Sequence, residues 1–552
     1  MQRSLKSFNS KWGETMQTRL ASSSILRRMQ ACRPNDAWAE PSTSASLHPL
    51  LSLEALRSAA SRQASSASSS QRAAHLRVWR SLEAKKHVSI IALGGSMVAG
   101  MGCSEASRSH TPEGAAYFSL DSKAMAECSF PSIFVRSLRR ALCIPDSKLL
   151  YSNRAAGGTS TKGVLPQLPL LLDDSGSGGR SGGGGPDLLV VDYSANDWAD
   201  EVIQKSESGT YKRCNATDAE EGACSGSQVS HADVRNSTSA AATEILLSYV
   251  LATRPATAVI LVEADCHALI SRVAHERIAR HHGVPYVAYV DALQSNATMA
   301  GPRYMGSGFR VCRKSTKAWQ STTSILHPKQ PTHALISTCV EQWWRHFLQN
   351  LRASGMPPVA APPRAPLTFA VKRQELGGIC EPRSLYDAKQ LLADRLLVEP
   401  ARTGGSSGPW DATWGFRVLE GNWSIYEDRP GKPGFITTGP ANSTLDFEVS
   451  FGATPCVSMV YERSYEGFGT VHATLLNNSQ MPTAGRTQRN MWLTISGQRD
   501  DGMRVTQADT LFMNNHPLVT KWRAEPFTNR TLRLRYVSDP PLKFKVRFLS
   551  SC

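Results

Sequence analysis

The sequence predicts an α/β unit followed by an all-β one, on three observations. Between about His87 and Leu351, short apolar β-branched runs alternate with amphipathic stretches. After residue 365 the runs shorten, alternate with polar residues and are punctuated by Gly, Pro and Asn. A Pro/Ala-rich stretch, ASGMPPVAAPPRA at 353–365, separates the two patterns. Near-continuous apolar strands set between helices belong to a parallel sheet covered on both faces, because neither face is left to water. Short alternating strands with frequent turn signals belong to a sandwich.

Taken in order, the first unit offers strands at VSIIAL from 88, KLLYS from 148, DLLVVDY from 187, TAVILVE from 257 and VPYVAYV from 284. Helical patterns fall near 131–142, 232–252, 268–282 and 333–351. The glycine-rich run 173–185 and the polar run 201–230 read as excursions at the rim. The second unit offers strands at TLDFEVSF from 444, CVSMVY from 456, TVHATLL from 470, MWLTI from 491, TLRLRYV from 531 and KFKVRFL from 543. The expected organisation is a leader over 1–86, an α/β unit over 87–352, a linker over 353–365 and a β-sandwich-like unit over 366–552. A chain of 552 residues is long enough for two cores.

Residues 1–86 are rich in Ser, Ala and Arg, poor in acids and low in complexity from Ser58 to Ser70. Such a composition is expected to stay largely disordered. It lacks the apolar core of a secretory signal and reads more like an organelle transit peptide. It also carries much of the net charge of +16: 14 Lys/Arg against 5 Asp/Glu leave +7 for the other 466 residues. No basic stripe with interleaved aromatics runs through the chain, which argues against a nucleic-acid partner. No apolar run approaches the roughly 18–20 residues of a membrane span.

Sequons at Asn215, Asn236, Asn296, Asn422, Asn442, Asn477 and Asn529 occupy seven of the 16 asparagines, which favours the secretory pathway or the cell surface. The twelve cysteines have no CxxC pair and no metal-ligand spacing. Cys214 with Cys224, and Cys312 with Cys339, are spaced for disulfides in an oxidising lumen.

The chemistry lies at the strand ends. The first strand runs into Leu93-Gly94-Gly95-Ser96-Met97, a glycine turn able to expose a serine hydroxyl at the carboxyl edge of the sheet. The second runs into Asn153-Arg154-Ala155-Ala156-Gly157-Gly158-Thr159-Ser160, and the third into Tyr193-Ser194-Ala195-Asn196-Asp197-Trp198. Downstream stands Leu326-His327-Pro328, with His333 six residues on. Alone, each has an ordinary structural explanation: a turn, a helix start, an asparagine closing a loop. There is no phosphate-binding glycine motif.

In this order, over roughly 90–335, the four segments resemble the blocks of the SGNH (GDSL-like) hydrolases. That resemblance implies a three-layer α/β/α flavodoxin-like sheet and a serine esterase. It implies Ser96 as nucleophile and His327 as base. The Ser96 and Gly158 N–H groups with the Asn196 amide would form the oxyanion hole. It implies no metal and no organic cofactor. The residue types suit the reaction: a serine hydroxyl needs a base, and the tetrahedral intermediate needs preorganised donors.

The sequence departs from the family in three places. Gly95 stands where the motif has Asp, and Ser194 where it has Gly. Ser324 stands three residues before His327, where the family places its triad acid. Three accounts stay open: a Ser–His dyad with Ser324 or a carbonyl orienting the ring, an acid from another strand end such as Asp265 or Asp291, or an impaired site. The expected substrate is an acyl or acetyl ester, small or on a polysaccharide. The rivals are an O-acyltransferase using the same residues and a carbohydrate-binding or surface protein that kept the fold. The aromatics Trp410, Trp414, Trp423, Tyr426, Tyr461, Tyr465, Trp492 and Trp522 fit either a sandwich core or a sugar platform.

Overall fold

The computed structural model describes most of residues 51–552. Outside it lie 1–50, 101–102, 104–126, 174–184, 195, 198–230, 265–268, 294–329, 355–364, 369, 371–372, 374–375, 377–378, 380–381, 393–414, 429–431, 454, 465, 478–491, 499–506 and 513–523.

The described residues open with two helices, α1 (Leu53–Ser66) and α2 (Ser69–Glu83). This corrects the expectation of a disordered leader over 1–86, at least for these residues. The serines that made the segment look featureless are helix caps: Ser52 Oγ accepts from Ala55 N–H, and Ser68 Oγ from Gln71 N–H. The alanines are a packing surface. Leu56, Ala60, Ala64, Ala74, Val78, Trp79 and Leu82 recur at helical spacing and are buried in the main core.

Strands β1 (Val88–Gly94), β2 (Leu149–Asn153), β3 (Leu188–Asp192), β4 (Ala258–Glu263) and β5 (Tyr286–Ala288) form one parallel sheet in the order β2-β1-β3-β4-β5. This is the flavodoxin-like order. Between them run α3 (Phe130–Leu142), two single turns α4 (Thr161–Val164) and α5 (Leu168–Leu171), α6 (His231–Asn236), α7 (Thr238–Thr253) and α8 (Leu269–His282). The last helix, α9 (Gln330–Ala353), follows β5. The helix expected near 232–252 is broken at Ser237, whose hydroxyl caps α7 through Ala240 N–H.

Because side chains alternate along a strand, each strand feeds two cores. Ile90, Ala92, Val190, Ile260 and Val262 face α2, α3 and α9, whereas Ile91, Leu93, Leu189, Val191 and Leu261 face α7 and α8. Helix α2 belongs to the sheet as firmly as any other. Gln71 donates to Thr257 C=O and accepts from Val259 N–H. Buried His75 accepts the Trp344 indole N–H at Nδ1, which leaves Nε2–H to donate to Val259 C=O. Burial pushes the His75 pKa down to about 4, so the ring is neutral as this pairing requires.

The second unit is an antiparallel sandwich. One sheet has the order β13-β12-β15-β10-β7 and the other β14-β11-β16-β9-β8, with β6 (Ser384–Asp387) against the far end of β16. The strands are β7 (Phe416–Glu420), β8 (Ser424–Glu427), β9 (Pro433–Thr437), β10 (Thr444–Ser450), β11 (Val457–Arg463) and β12 (Thr470–Asn477). They continue with β13 (Leu493–Ser496), β14 (Gln507–Phe512), β15 (Asn529–Tyr536) and β16 (Phe544–Ser551). Phe416, Phe435, Phe447, Tyr536, Phe544 and Leu549 fill the space between the sheets. Trp423 and Tyr461 join them, Trp492 is half-buried beside His472, and Tyr426 is exposed. Trp410, Trp414, Tyr465 and Trp522 lie outside the described residues.

Cys339 is a free thiol in the core face of α9, where burial pushes its pKa up to about 12; it is not half of a pair with Cys312. Cys103 and Cys128 are joined instead, linking the turn after β1 to the start of α3. Cys214 and Cys224 lie outside the described residues. No helix among the described residues is long and apolar enough to cross a membrane.

Replacing Gln71 by Leu should leave the Val259 N–H and Thr257 C=O buried without their side-chain partner. We expect a loss of about 1–3 kcal/mol, read as a lowered urea midpoint at constant m-value.

Candidate active site

In this strand order the chain leaves β1 first towards β2 and later, through β3, towards the opposite edge. The crevice at the carboxyl ends of β1 and β3 lies at this switch point, where α/β sheets bind ligands. Ser96 follows β1 by two residues and Asn196 follows β3 by four, so the fold itself brings them together. The Ser96 N–H donates to Asn196 Oδ1 at 3.3 Å. Ser96 is 6% exposed.

Gly95 is the residue that makes this contact possible. A Cβ there would stand 2.0 Å from Asn196 Oδ1 and 3.0 Å from the Thr159 carbonyl. A side chain at position 95 therefore has no room: the space is taken by the Asn196 side chain. The Gly95 N–H in turn donates to the Asp192 carbonyl, which fixes the turn onto the end of β3.

Gly158 sits in a turn closed by Thr159 N–H to Ala156 C=O and has φ of +75°, which glycine adopts without strain. It is buried, and the Thr159 carbonyl of the same loop faces Gly95. Among the described residues the Gly158 N–H has no hydrogen-bond acceptor. Ser96, Gly158 and Asn196 thus come from the ends of three neighbouring strands.

Beneath them is a buried charge network that sequence reasoning missed. The Asp197 carboxylate accepts Thr161 N–H at 2.7 Å and the Thr161 hydroxyl at 2.5 Å. It also lies 3.1 Å from His275 Nε2, while His275 Nδ1 lies 2.8 Å from Glu263 Oε2. All three ionisable side chains are at most 2% exposed. Burial alone would lower the His275 pKa, but Glu263 and Asp197 on either side hold it well above the usual histidine range. His275 is accordingly an imidazolium that donates to both. The chain Thr161–Asp197–His275–Glu263 runs from the Gly158 loop past the end of β3 to the end of β4. The one sequence signal was Glu263, an acid closing the apolar TAVILVE run at a strand end.

The site is also walled by the sandwich. The Ala508 N–H donates to Gly158 C=O at 2.8 Å. Arg547 Nη1 donates to Gly157 C=O at 3.2 Å and reaches Thr159 Oγ1 at 3.4 Å. Lys162 pairs with Asp509 at 2.8 Å, and Arg463 reaches the other oxygen of Asp509 at 3.3 Å. Burial opposes ionisation of Asp509, but the Lys162 cation outweighs it and brings the pKa down to about 2.

The remaining expected residues are distributed as follows. His327, Ser324 and Asp265 lie outside the described residues. Asp291 is half-exposed and paired with Arg272. His333 is fully buried at the start of α9 and accepts Phe130 N–H at Nδ1, a structural contact to the first turn of α3. Glu244, His281 and His282 cluster closely enough to suggest metal ligands. Their atoms are already engaged: Glu244 accepts from the Leu367 and Thr368 amides, and His281 Nε2 donates to Ala365 C=O. This cluster pins the far end of the connector to α7 and α8.

No protein-family model matches the sequence, and no curated protein matches it. Among solved structures, the chain is similar to a two-domain esterase active on acetylated mannans. That match is 13% identical with a TM-score of 0.47, covering 87% of this chain and 95% of the other. It is similar over 48% of its length to a putative GDSL-like lipase from Parabacteroides merdae, 15% identical, TM-score 0.26, covering 97% of that protein. An extracellular lipase from Streptomyces rimosus matches over the same share at 16% identity and TM-score 0.26, covering 99% of its own length.

Replacing His275 by Leu leaves Asp197 and Glu263 buried with no cation between them. A loss of about 3–5 kcal/mol is expected from breaking such a buried pair. The pH dependence has a definite sign. Because the folded pKa is raised, the wild-type advantage is full below about 6.5, the unfolded value, and declines as pH rises through the folded pKa. Denaturation of both proteins at pH 6 and pH 9 should show the gap narrowing at the higher pH.

Proposed function

We propose that the protein is a serine ester hydrolase acting through an acyl-enzyme, with Ser96 as nucleophile and His327 as general base. The observation that carries the reading is the convergence of Ser96, Gly158 and Asn196 at the switch point of the parallel sheet. A buried serine beside an uncommitted backbone N–H and a side-chain amide is the arrangement acyl transfer requires.

In this reading the Ser96 hydroxyl attacks the ester carbonyl carbon as His327 takes its proton. The oxyanion forms against the Ser96 and Gly158 N–H groups and the Asn196 amide. The Ser96 N–H must then leave Asn196 Oδ1, and the carboxamide must present its Nδ2–H₂. Collapse expels the alcohol, which takes the proton from His327. Water then repeats the sequence and frees the acid. The charge partner of His327 is open between Ser324, a carbonyl and Asp265. Asp291 is the weaker candidate, because Arg272 already occupies it.

We take the substrate to be an acyl or acetyl ester of a carbohydrate. The sandwich flanking the Gly158 loop gives a second wall on which a large alcohol can lie, and the solved esterase active on acetylated mannans has the same two-part construction. The Cys103–Cys128 disulfide and the exposed sequons Asn236, Asn422, Asn442 and Asn529 favour an oxidising, extracellular or luminal location.

Hydrolysis of a short-chain aryl ester and labelling by a fluorophosphonate probe test the reading. Ser96→Ala should abolish both, and His327→Ala should lower turnover by about 10⁴ or more. Full activity in Ser96→Ala overturns the assignment. Ser324→Asp should raise turnover if the missing acid is a real deficit. Gly95→Asp, although it restores the family residue, should lower turnover at least tenfold, because its Cβ drives Asn196 off Ser96.

A further inference from the structure

We propose that Arg547, on the sandwich, is a positioning residue for the oxyanion donor at Gly158, so that the site is completed by both halves of the chain. The inference rests on the reading of Ser96 and Gly158 given above.

In a trans peptide the carbonyl of one residue and the N–H of the next lie in one plane and point in opposite directions. The Gly157 carbonyl and the Gly158 N–H share such a plane; the cis bonds among the described residues are at Gly439-Pro440 and Asp539-Pro540. Arg547 Nη1 holds the Gly157 carbonyl on the sandwich side at 3.2 Å. The Gly158 N–H is thereby turned the other way, into the α/β unit. The next peptide plane is held from the same direction, since Gly158 C=O accepts Ala508 N–H. Two adjacent glycines give this loop little stiffness of its own. Ala156 N–H to Gly94 C=O and Thr161 to Asp197 hold the two ends of the loop from inside, and those two outside anchors hold the carbonyls of Gly157 and Gly158 between them.

The backbone around Arg547 is built to deliver this side chain. Strand β16 pairs with β11 as Phe548↔Val460 and then Val546↔Tyr461, skipping Arg547 at a bulge. On its other edge, β9 pairs as far as Val546 and β6 starts at Phe548. Arg547 is thus passed over on both sides of a central strand. A bulge re-aims the side chain it carries, and bulges concentrate beside active sites. Here the side chain reaches across 390 residues of sequence to the Gly157 loop.

The test uses the full-length protein, with aryl acetate hydrolysis and fluorophosphonate labelling of Ser96 as paired readouts. Arg547→Ala should lower kcat by about tenfold or more with KM nearly unchanged, and slow labelling in parallel, because both reactions place an oxygen against the same donors. Millimolar guanidinium should restore part of the lost rate, which a merely structural role would not allow. Arg547→Lys, which keeps the charge and the fold but loses the planar fork, should fall between the two. Wild-type kcat and labelling in Arg547→Ala, or a loss that guanidinium leaves untouched while the Lys variant is fully active, would overturn the proposal. If wild type neither hydrolyses nor labels, or Ser96→Ala labels equally well, the serine reading itself fails and this inference with it.

Discussion

The buried carboxylate of Asp197 is the interaction on which the site depends. It takes two hydrogen bonds from Thr161 and one from His275, so one side chain ties the loop after β2 to the end of β3 and, through Glu263, to the end of β4. A charge in so dry a place must be compensated, and the compensation has direction. The Thr161 amide and hydroxyl can meet Asp197 only if the Gly158 loop approaches from one side. Asn196, the residue before Asp197, is then carried to Ser96. The glycine at 95 and the asparagine at 196 form a matched pair within that frame, each shaped to the space the other leaves.

Much of this was legible in the sequence. The five parallel strands appear where apolar β-branched runs predicted them, because strands buried on both faces can hardly be written otherwise. The placement of Ser96, Gly158 and Asn196 at neighbouring strand ends was legible because each stands a few residues after such a run, and the carboxyl ends of a doubly wound sheet converge by topology. Six sandwich strands were also read correctly. Strands β6, β7, β8, β9 and β14 were not, being short or, like β9, buried along their whole length with no alternation to read.

The leader was misread for a physical reason. Ser52, Ser68 and the run of alanines give a composition that resembles disorder, yet a helix that packs on a Trp-rich partner needs small residues and capped ends. Low complexity and close packing use the same letters there. The buried network was missed for another reason: nothing local distinguishes His275 from its neighbours on α8. Its partners come from two other strand ends, so its role exists only in three dimensions. The same holds for Arg547, whose signal is a bulge and not a motif.

The contact between Ala508 N–H and Gly158 C=O carries a consequence for the order in which this loop is assembled. The two residues meet only when chain segments about 350 positions apart are brought together, and closing so long a loop comes late in folding. Until the sandwich has formed, the contacts of Ala508 and Arg547 with this loop are missing. At that stage the glycine loop has only its inner contacts, Ala156 N–H to Gly94 C=O and Thr161 to Asp197. The outer side of the Gly158 loop is therefore finished last, when the final strands settle against the first unit.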